Sequence, residues 1–263
     1  MIKAYIFDLD GVIYRGWELQ DTAKETLAEL ERRGAAIFAY TNNAMRTRQS
    51  YIDKLTKLGI TQFRVDRVMT SAYATALYLT EHNAAGKSVY IIGGDGLYEE
   101  LTNAGMKVYR GTEGEEVPVD YVIVGADKDF TYGKLARAQH GILGGAEFIA
   151  TNTDPTYPLE NGTLNPGGGS LVAAVRTASG TEPYVICKPY TYAFEKILSI
   201  AGVAAHEAMM VGDRLDTDIA VANRAGAKSG LVLTGVTTLA EAEAATGELV
   251  PTKILRKLSD LLD

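Results

Sequence analysis

Short apolar runs alternate with segments of helical period from end to end of this chain, a pattern that predicts α/β architecture with a mostly parallel sheet. Near-continuous hydrophobicity marks strands covered on both faces. The runs Ala4–Phe7, Ala36–Tyr40, Val68–Thr70, Tyr184–Cys187, Ala208–Val211 and Ser229–Val232 are therefore expected as core strands. The segments Thr22–Arg33, Arg46–Leu58, Ala72–His82, Thr191–Ala201 and Asp216–Ala225 predict helices. In the first of them Ala23, Leu27 and Leu30 recur at helical spacing, and Gly34 supplies a stop. A further series fills the middle, with strands at Val89–Ile92, Tyr121–Val124 and Phe148–Ala150 and helices at Lys134–Leu143 and Leu171–Ser179. The apolar face of Lys253–Leu262 also has helical spacing and predicts docking on the core.

Two loop-like stretches, "HNAAGKS" (82–88) and "ASGTEP" (178–183), frame that middle series. They predict a discontinuous core domain, residues 1–83 and 184–263, carrying an inserted second domain over residues 84–183. The insertion is long enough to own a core. The expected fold is thus α/β, a doubly wound, mostly parallel core sheet with a smaller inserted α/β domain.

Composition narrows the classes. With 46% hydrophobic and 22% charged residues, the chain has the makeup of a globular protein with a real core. A net charge of −7 offers no basic excess for phosphate backbones or anionic lipid, which argues against nucleic acid and membrane partners. No apolar run reaches the ~18 residues of a membrane span, and no signal-peptide pattern precedes the first strand. Cys187 is the one cysteine, so no internal disulfide forms. A cytoplasmic protein is expected.

Four strand ends carry the candidate chemistry. Asp8 and Asp10 follow Ala4–Phe7, and side chains two apart on a strand point the same way. In open α/β sheets the ligand crevice lies beyond the carboxyl ends of the strands. An Asx turn would use the same two residues. Thr41, Asn42 and Asn43 follow the second strand, where hydroxyl and amide groups either bind an anion or cap the next helix. Lys188 follows an apolar run that Pro189 stops, as a solvated surface lysine or as a phosphate partner. The stretch "GDRLDTD" (212–218) brings Asp213, Asp216 and Asp218 to a strand end and a helix start, more acids than capping needs.

Together these stretches resemble the four motifs of the haloacid dehalogenase-like phosphatase superfamily: "DLDGV" (8–12), Thr41, Lys188 and "GDRLDTD" (212–218). The middle stretches "VGADKDFTYGKL" (124–135), "ATNTDPTYPLENG" (150–162) and "PGGGSLVAAVRTASG" (166–180) resemble the cap of its NagD-like subgroup. That subgroup holds sugar-phosphate, p-nitrophenylphosphate, phosphoglycolate and pyridoxal phosphatases.

The resemblance implies Mg²⁺ held by the Asp8 side chain, the Asp10 carbonyl and the Asp213 side chain, with Asp218 acting through a water on the metal. It implies Asp8 as nucleophile, Asp10 as general acid and base, and Thr41, Asn42 and Lys188 as a clamp on the phosphoryl group, with Asn43 beside them as a further substrate-binding candidate. The physics agrees, since two unit charges ~4 Å apart cost roughly 4 kcal/mol at an effective dielectric of ~20. A hard divalent cation with oxygen ligands relieves that repulsion. In related pyridoxal phosphatases a loop matching 152–159 touches substrate, and Tyr157 stands here where they have histidine. The implied substrate is a small phosphorylated metabolite. Related caps often mediate homodimers.

Other signals weigh less. "AGKS" (85–88) has Glu81 where a P-loop needs glycine, and "GGDG" (93–96) and "PGGGS" (166–170) lack dinucleotide spacing. Gly167–Gly169 are expected to form a tight turn with Ser170 capping the next helix. His82, His140 and His206 have no ligand spacing. A phosphate-accepting signalling domain and an idle binding protein are the competing classes.

Overall fold

The computed structural model describes residues 1–111, 117–158 and 163–263, arranged in two compact units. The first comprises Met1–Thr41, Gln49–Met69 and Lys188–Asp263; the second comprises Asn42–Arg48 and Thr70–Cys187.

A six-stranded sheet organises the first unit, in the order Lys253–Leu255, Lys228–Val232, Ala208–Gly212, Ala4–Phe7, Ala36–Thr41, Val68–Thr70. Its central strand, Ala4–Phe7, pairs in parallel with Ala208–Gly212 on one side and Ala36–Thr41 on the other. The strand order reverses there, which is where a doubly wound sheet opens its crevice. Phe7 stands opposite both Val211 and Ala39, and the two flanking strands run one and two residues further, to Gly212 and Thr41. The helix Ala23–Arg32 buries Ala23, Leu27 and Leu30, the stripe its spacing predicts. Leu255, Leu258 and Leu261 close the same apolar core.

A five-stranded parallel sheet organises the second unit, in the order Tyr184–Val185, Glu147–Ala150, Tyr121–Val124, Ser88–Ile92, Lys107–Arg110. The helices Tyr132–Leu143 and Gly168–Ser179 supply Ala138, Ile142, Val172 and Val175 to its core. A short antiparallel hairpin pairs Thr156–Pro158 with Leu164–Pro166. Among the described residues, no helix is long and apolar enough to cross a membrane.

The structure revises four sequence-based expectations. Tyr184–Cys187 is not a core strand: Tyr184 and Val185 pair with Ile149 and Ala150 of the second sheet. The Ile186 and Cys187 N–H groups continue that ladder to the Ala150 and Thr151 carbonyls. Lys253–Leu262 is not one helix, because Lys253–Leu255 adds to the sheet edge and Leu258–Leu261 forms a 3₁₀ turn. Its leucines still dock on the core, by a different backbone. The helix Asp95–Asn103 and the edge strand Lys107–Arg110 lie where no element is expected. Ser170 caps nothing; the helix starts at Gly168, and the Ser170 hydroxyl donates to the Pro155 carbonyl at 2.7 Å.

Candidate active site

Three strand ends converge in the first unit. Asp8 follows Phe7, Thr41 ends the neighbouring strand, and Asp213 follows Gly212 on the other side. The Asp8 N–H donates to the Val211 carbonyl at 2.9 Å, extending the ladder by one residue and fixing the aspartate at the carboxyl end of the central strand. Asp218 returns to the same place from the wide helical turn Leu215–Ile219. One of its oxygens, Oδ2, accepts from the Asp213 and Arg214 N–H groups at 3.2 and 3.1 Å. The carboxylates of Asp8, Asp213 and Asp218 bring one oxygen each within 4.8 Å of one another, the one such acidic group among the described residues.

Lys188 lies among them. Its side chain is 3% exposed, and Nζ donates to Asp8 Oδ1 and Asp218 Oδ1 at 2.7 Å each and to the Tyr40 carbonyl at 3.2 Å. The Tyr40 ring faces the same ammonium, with Nζ 4.9 Å from its centroid. A cis peptide joins Lys188 to Pro189. The surface reading of this lysine therefore fails. It reaches the cluster from the segment following the second sheet's edge strand, not from a strand of the core sheet.

Burial sets the electrostatics. It pushes the Asp8 carboxyl well above its usual range, opposed by Lys188 and reinforced by Asp218 and Asp213. Burial and then Asp218 lift Asp213 to about 7, although the Val236 N–H works against the shift. For Lys188 burial disfavours the cation, yet Asp218 and Asp8 outweigh it and hold the pKa above the lysine norm. One ammonium thus stands against three carboxylates in a buried site, an excess of negative charge that a divalent cation would balance.

The backbone around the cluster is shaped for carboxylates. A Cβ on Gly235 would lie 1.8 Å from Asp213 Oδ2, and one on Gly11 would lie 2.5 Å from it. Gly11 also has φ +87°, a conformation side chains resist. A Cβ on Gly212 would fall 2.2 Å from the Asp218 Cγ. Val236 N–H donates to Asp213 Oδ2 at 2.8 Å and holds that oxygen in place. All-oxygen donors in a glycine-lined cradle fit a hard cation.

Asp10 sits on the turn that leads to Tyr14, exposed and outside the three-carboxylate group. Thr41 is buried at its strand end. The remaining candidates belong to the second unit. Asn42 is buried; its Nδ2 donates to Asp154 Oδ2 at 3.0 Å, and its carbonyl accepts from the Ser71 hydroxyl at 2.6 Å. Asn43 Oδ1 accepts from the Met45 N–H at 2.8 Å, a local turn bond. Tyr157 lies on the short hairpin, its hydroxyl 3.4 Å from Asn165 Nδ2. The end of the loop expected to touch substrate, Leu159, and the end of the cap stretch, Glu160–Gly162, fall outside the described residues.

Sequence reasoning missed Gly235, Val236, Ser71 and Asp154. A glycine just past the apolar run Lys228–Val232 was a findable signal for the first. Nothing local announces the bond of Asp154 to Asn42, which lies 112 positions away.

Known proteins match this architecture. The Haloacid dehalogenase-like hydrolase family model matches residues 5–107, and a second, HAD-hydrolase-like model matches residues 185–261. An acid sugar phosphatase of Staphylococcus aureus is 39% identical over 241 residues, spanning 92% of this chain and 90% of its own. A thermostable NPPase from Geobacillus stearothermophilus, a double mutant, superposes with a TM-score of 0.87 at 36% identity over 98% of this chain and 97% of that one. The glycerol phosphate phosphatase of Mycobacterium tuberculosis, solved in complex with magnesium, gives a TM-score of 0.90 at 36% identity over 99% of this chain and 76% of its own. Sequence motifs, sheet order and relatives agree: this chain belongs to the haloacid dehalogenase-like hydrolases, as one of their phosphatases.

Proposed function

We propose that this chain is a Mg²⁺-dependent phosphatase of small phosphate monoesters that works through an aspartyl-phosphate on Asp8. The observation that carries the reading is the convergence of Asp8, Asp213 and Asp218 with Lys188 bonded between two of them. The side chains of Asp8 and Asp213 and the carbonyl of Asp10 would hold the ion, with Asp218 supporting them from behind. When bound, Mg²⁺ supplies positive charge that lets the cluster ionise and shields the incoming phosphoryl oxygens.

The chain's own groups do the rest. An Asp8 carboxylate oxygen attacks phosphorus, the bond to the ester oxygen breaks, and the departing alkoxide takes a proton from Asp10. Asp10 then accepts a proton from water as that water attacks phosphorus; the acyl–phosphate bond breaks and inorganic phosphate leaves. Exposure of Asp10 suits a group that must meet both leaving group and water. Lys188, the Thr41 hydroxyl and the Asn42 backbone N–H stabilise charge on the phosphoryl oxygens. The second unit acts as a cap, with Tyr157 contacting the part of the substrate beyond phosphorus. Sugar phosphates and glycerol phosphate, named for the relatives, belong to this class of small monoesters.

Asp8→Asn tests the reading. It removes the nucleophile and one charge, so turnover of p-nitrophenyl phosphate with Mg²⁺ falls to background while circular dichroism stays unchanged. A near-normal rate in the variant excludes the mechanism.

A further inference from the structure

We infer that Asp154 is a positioning residue for phosphoryl binding: it locks the Asn42 peptide to a rigid loop that carries Tyr157. The inference rests on the proposed role of the Asn42 backbone N–H.

Asp154 Oδ2 accepts from two amides at once, Asn42 Nδ2 at 3.0 Å and Asn152 Nδ2 at 3.0 Å. Asn152 is itself fixed, because its Oδ1 accepts from the Thr151 hydroxyl at 2.9 Å. Asn42 and Asn152 are buried, and amide bonds to a carboxylate in such surroundings are among the stronger ones. The Asn42 residue is thereby held twice: its carbonyl by Ser71 at 2.6 Å, its side chain by Asp154. With both tethers in place the direction of its peptide is set.

The other end of the joint does not yield. Gly169 N–H donates to the Asp154 carbonyl at 2.9 Å, Gly167 N–H to the Pro155 carbonyl at 2.8 Å, and Ser170 Oγ to that same carbonyl. The glycines are required by the closeness of this contact. A Cβ on Gly167 would stand 2.3 Å from the Asp154 oxygen, one on Gly169 2.2 Å from the Thr153 oxygen, and one on Gly168 2.8 Å from Asn152 Oδ1. The "GGG" stretch is thus the bed on which residues 152–155 lie, and the hairpin bearing Tyr157 starts directly after it. A carboxylate built into this bed transmits the loop's position to Asn42.

Asp154→Ala removes the acceptor, and Asp154→Asn keeps an oxygen able to receive the amides. With p-nitrophenyl phosphate and Mg²⁺, Asp154→Ala is expected to lower kcat/KM roughly 10- to 100-fold, the worth of one hydrogen bond to a charged group. The Ki of inorganic phosphate should rise in parallel, and Asp154→Asn should recover most of both. Because the effect sits at the phosphoryl end, the loss should be equal for different phosphomonoesters. A purely structural role would lower the melting temperature and the active fraction while leaving KM and the phosphate Ki where they were, and that result overturns the inference. If Asp154→Ala does not fold, Asn42→Ala cuts the same bond from its other end and must show the same rise in Ki; an unchanged Ki overturns the inference too. A wild-type chain without activity would instead refute the phosphatase reading, and the inference with it, whereas an active wild type beside an indifferent Asp154→Ala refutes the inference alone.

Discussion

The Lys188 ammonium lies 2.7 Å from Asp8 Oδ1, although 180 positions separate the two residues. Backbone fixes Asp8 at the end of the central strand, and Lys188 Nζ is held by Asp8, Asp218 and the Tyr40 carbonyl. The pair is nearly dry, with the lysine side chain 3% and the aspartate 14% exposed.

Lys188→Met removes the cation and leaves Asp8 and Asp218 facing each other. Breaking a buried ion pair from one side costs roughly 3–5 kcal/mol. The metal-free variant should lose about that much unfolding free energy in urea titrations. Turnover should fall by a factor on the order of 100–1,000, as for loss of a charge-stabilising donor. Lys188→Met with wild-type kcat/KM would remove the lysine from the reaction.

Asp213 gives the pH dependence its sign. Its carboxyl titrates at about 7 in the fold against 3.8 when unperturbed. Between those values the folded chain binds the extra proton, so in metal-free protein this group's contribution to stability falls as pH rises through the window. The raised pKa of Asp8 acts in the same direction. A cation held by the ionised carboxylates reverses the loss. The gain in melting temperature from millimolar Mg²⁺ over EDTA should therefore grow by several degrees between about pH 5 and about pH 8. A gain independent of pH would place the cation elsewhere.

Gly235→Ala probes the cradle with a single carbon. Its Cβ would fall 1.8 Å from Asp213 Oδ2, so the carboxylate must move. The Mg²⁺ concentration for half-maximal activity should rise roughly 10- to 100-fold, the usual effect of disturbing the support of a metal ligand. Activity at saturating Mg²⁺ should recover in part. A titration midpoint equal to that of the wild type would detach Asp213 from metal binding.

Much of this was readable from residue order. The central strands are near-continuous apolar runs, and a parallel sheet buried on both faces permits little else. Asp8, Thr41 and Asp213 are legible because each sits where such a run stops. Lys107–Arg110 escaped notice because an edge strand with exposed ends, "KVYR", lacks that signature. Lys253–Leu262 misled because leucines three apart serve a strand followed by a 3₁₀ turn as well as a helix. Tyr184–Val185 was seen as a strand but assigned to the wrong sheet, since pairing partners leave no trace in a local run. The Asn42–Asp154 bond was invisible for the same reason: nothing near either residue points to the other.

The central position of Ala4–Phe7 has a bearing on biosynthesis. One side of this strand finds its partner as soon as Ala36–Thr41 is made, but the other waits for Ala208–Gly212. A nascent chain therefore carries an open, apolar ladder from the completion of Ala36–Thr41 until Ala208–Gly212 is made, the kind of edge that recruits other chains. Competence arrives late and all at once, when Asp213 and Asp218 leave the ribosome together with the segment that closes that edge.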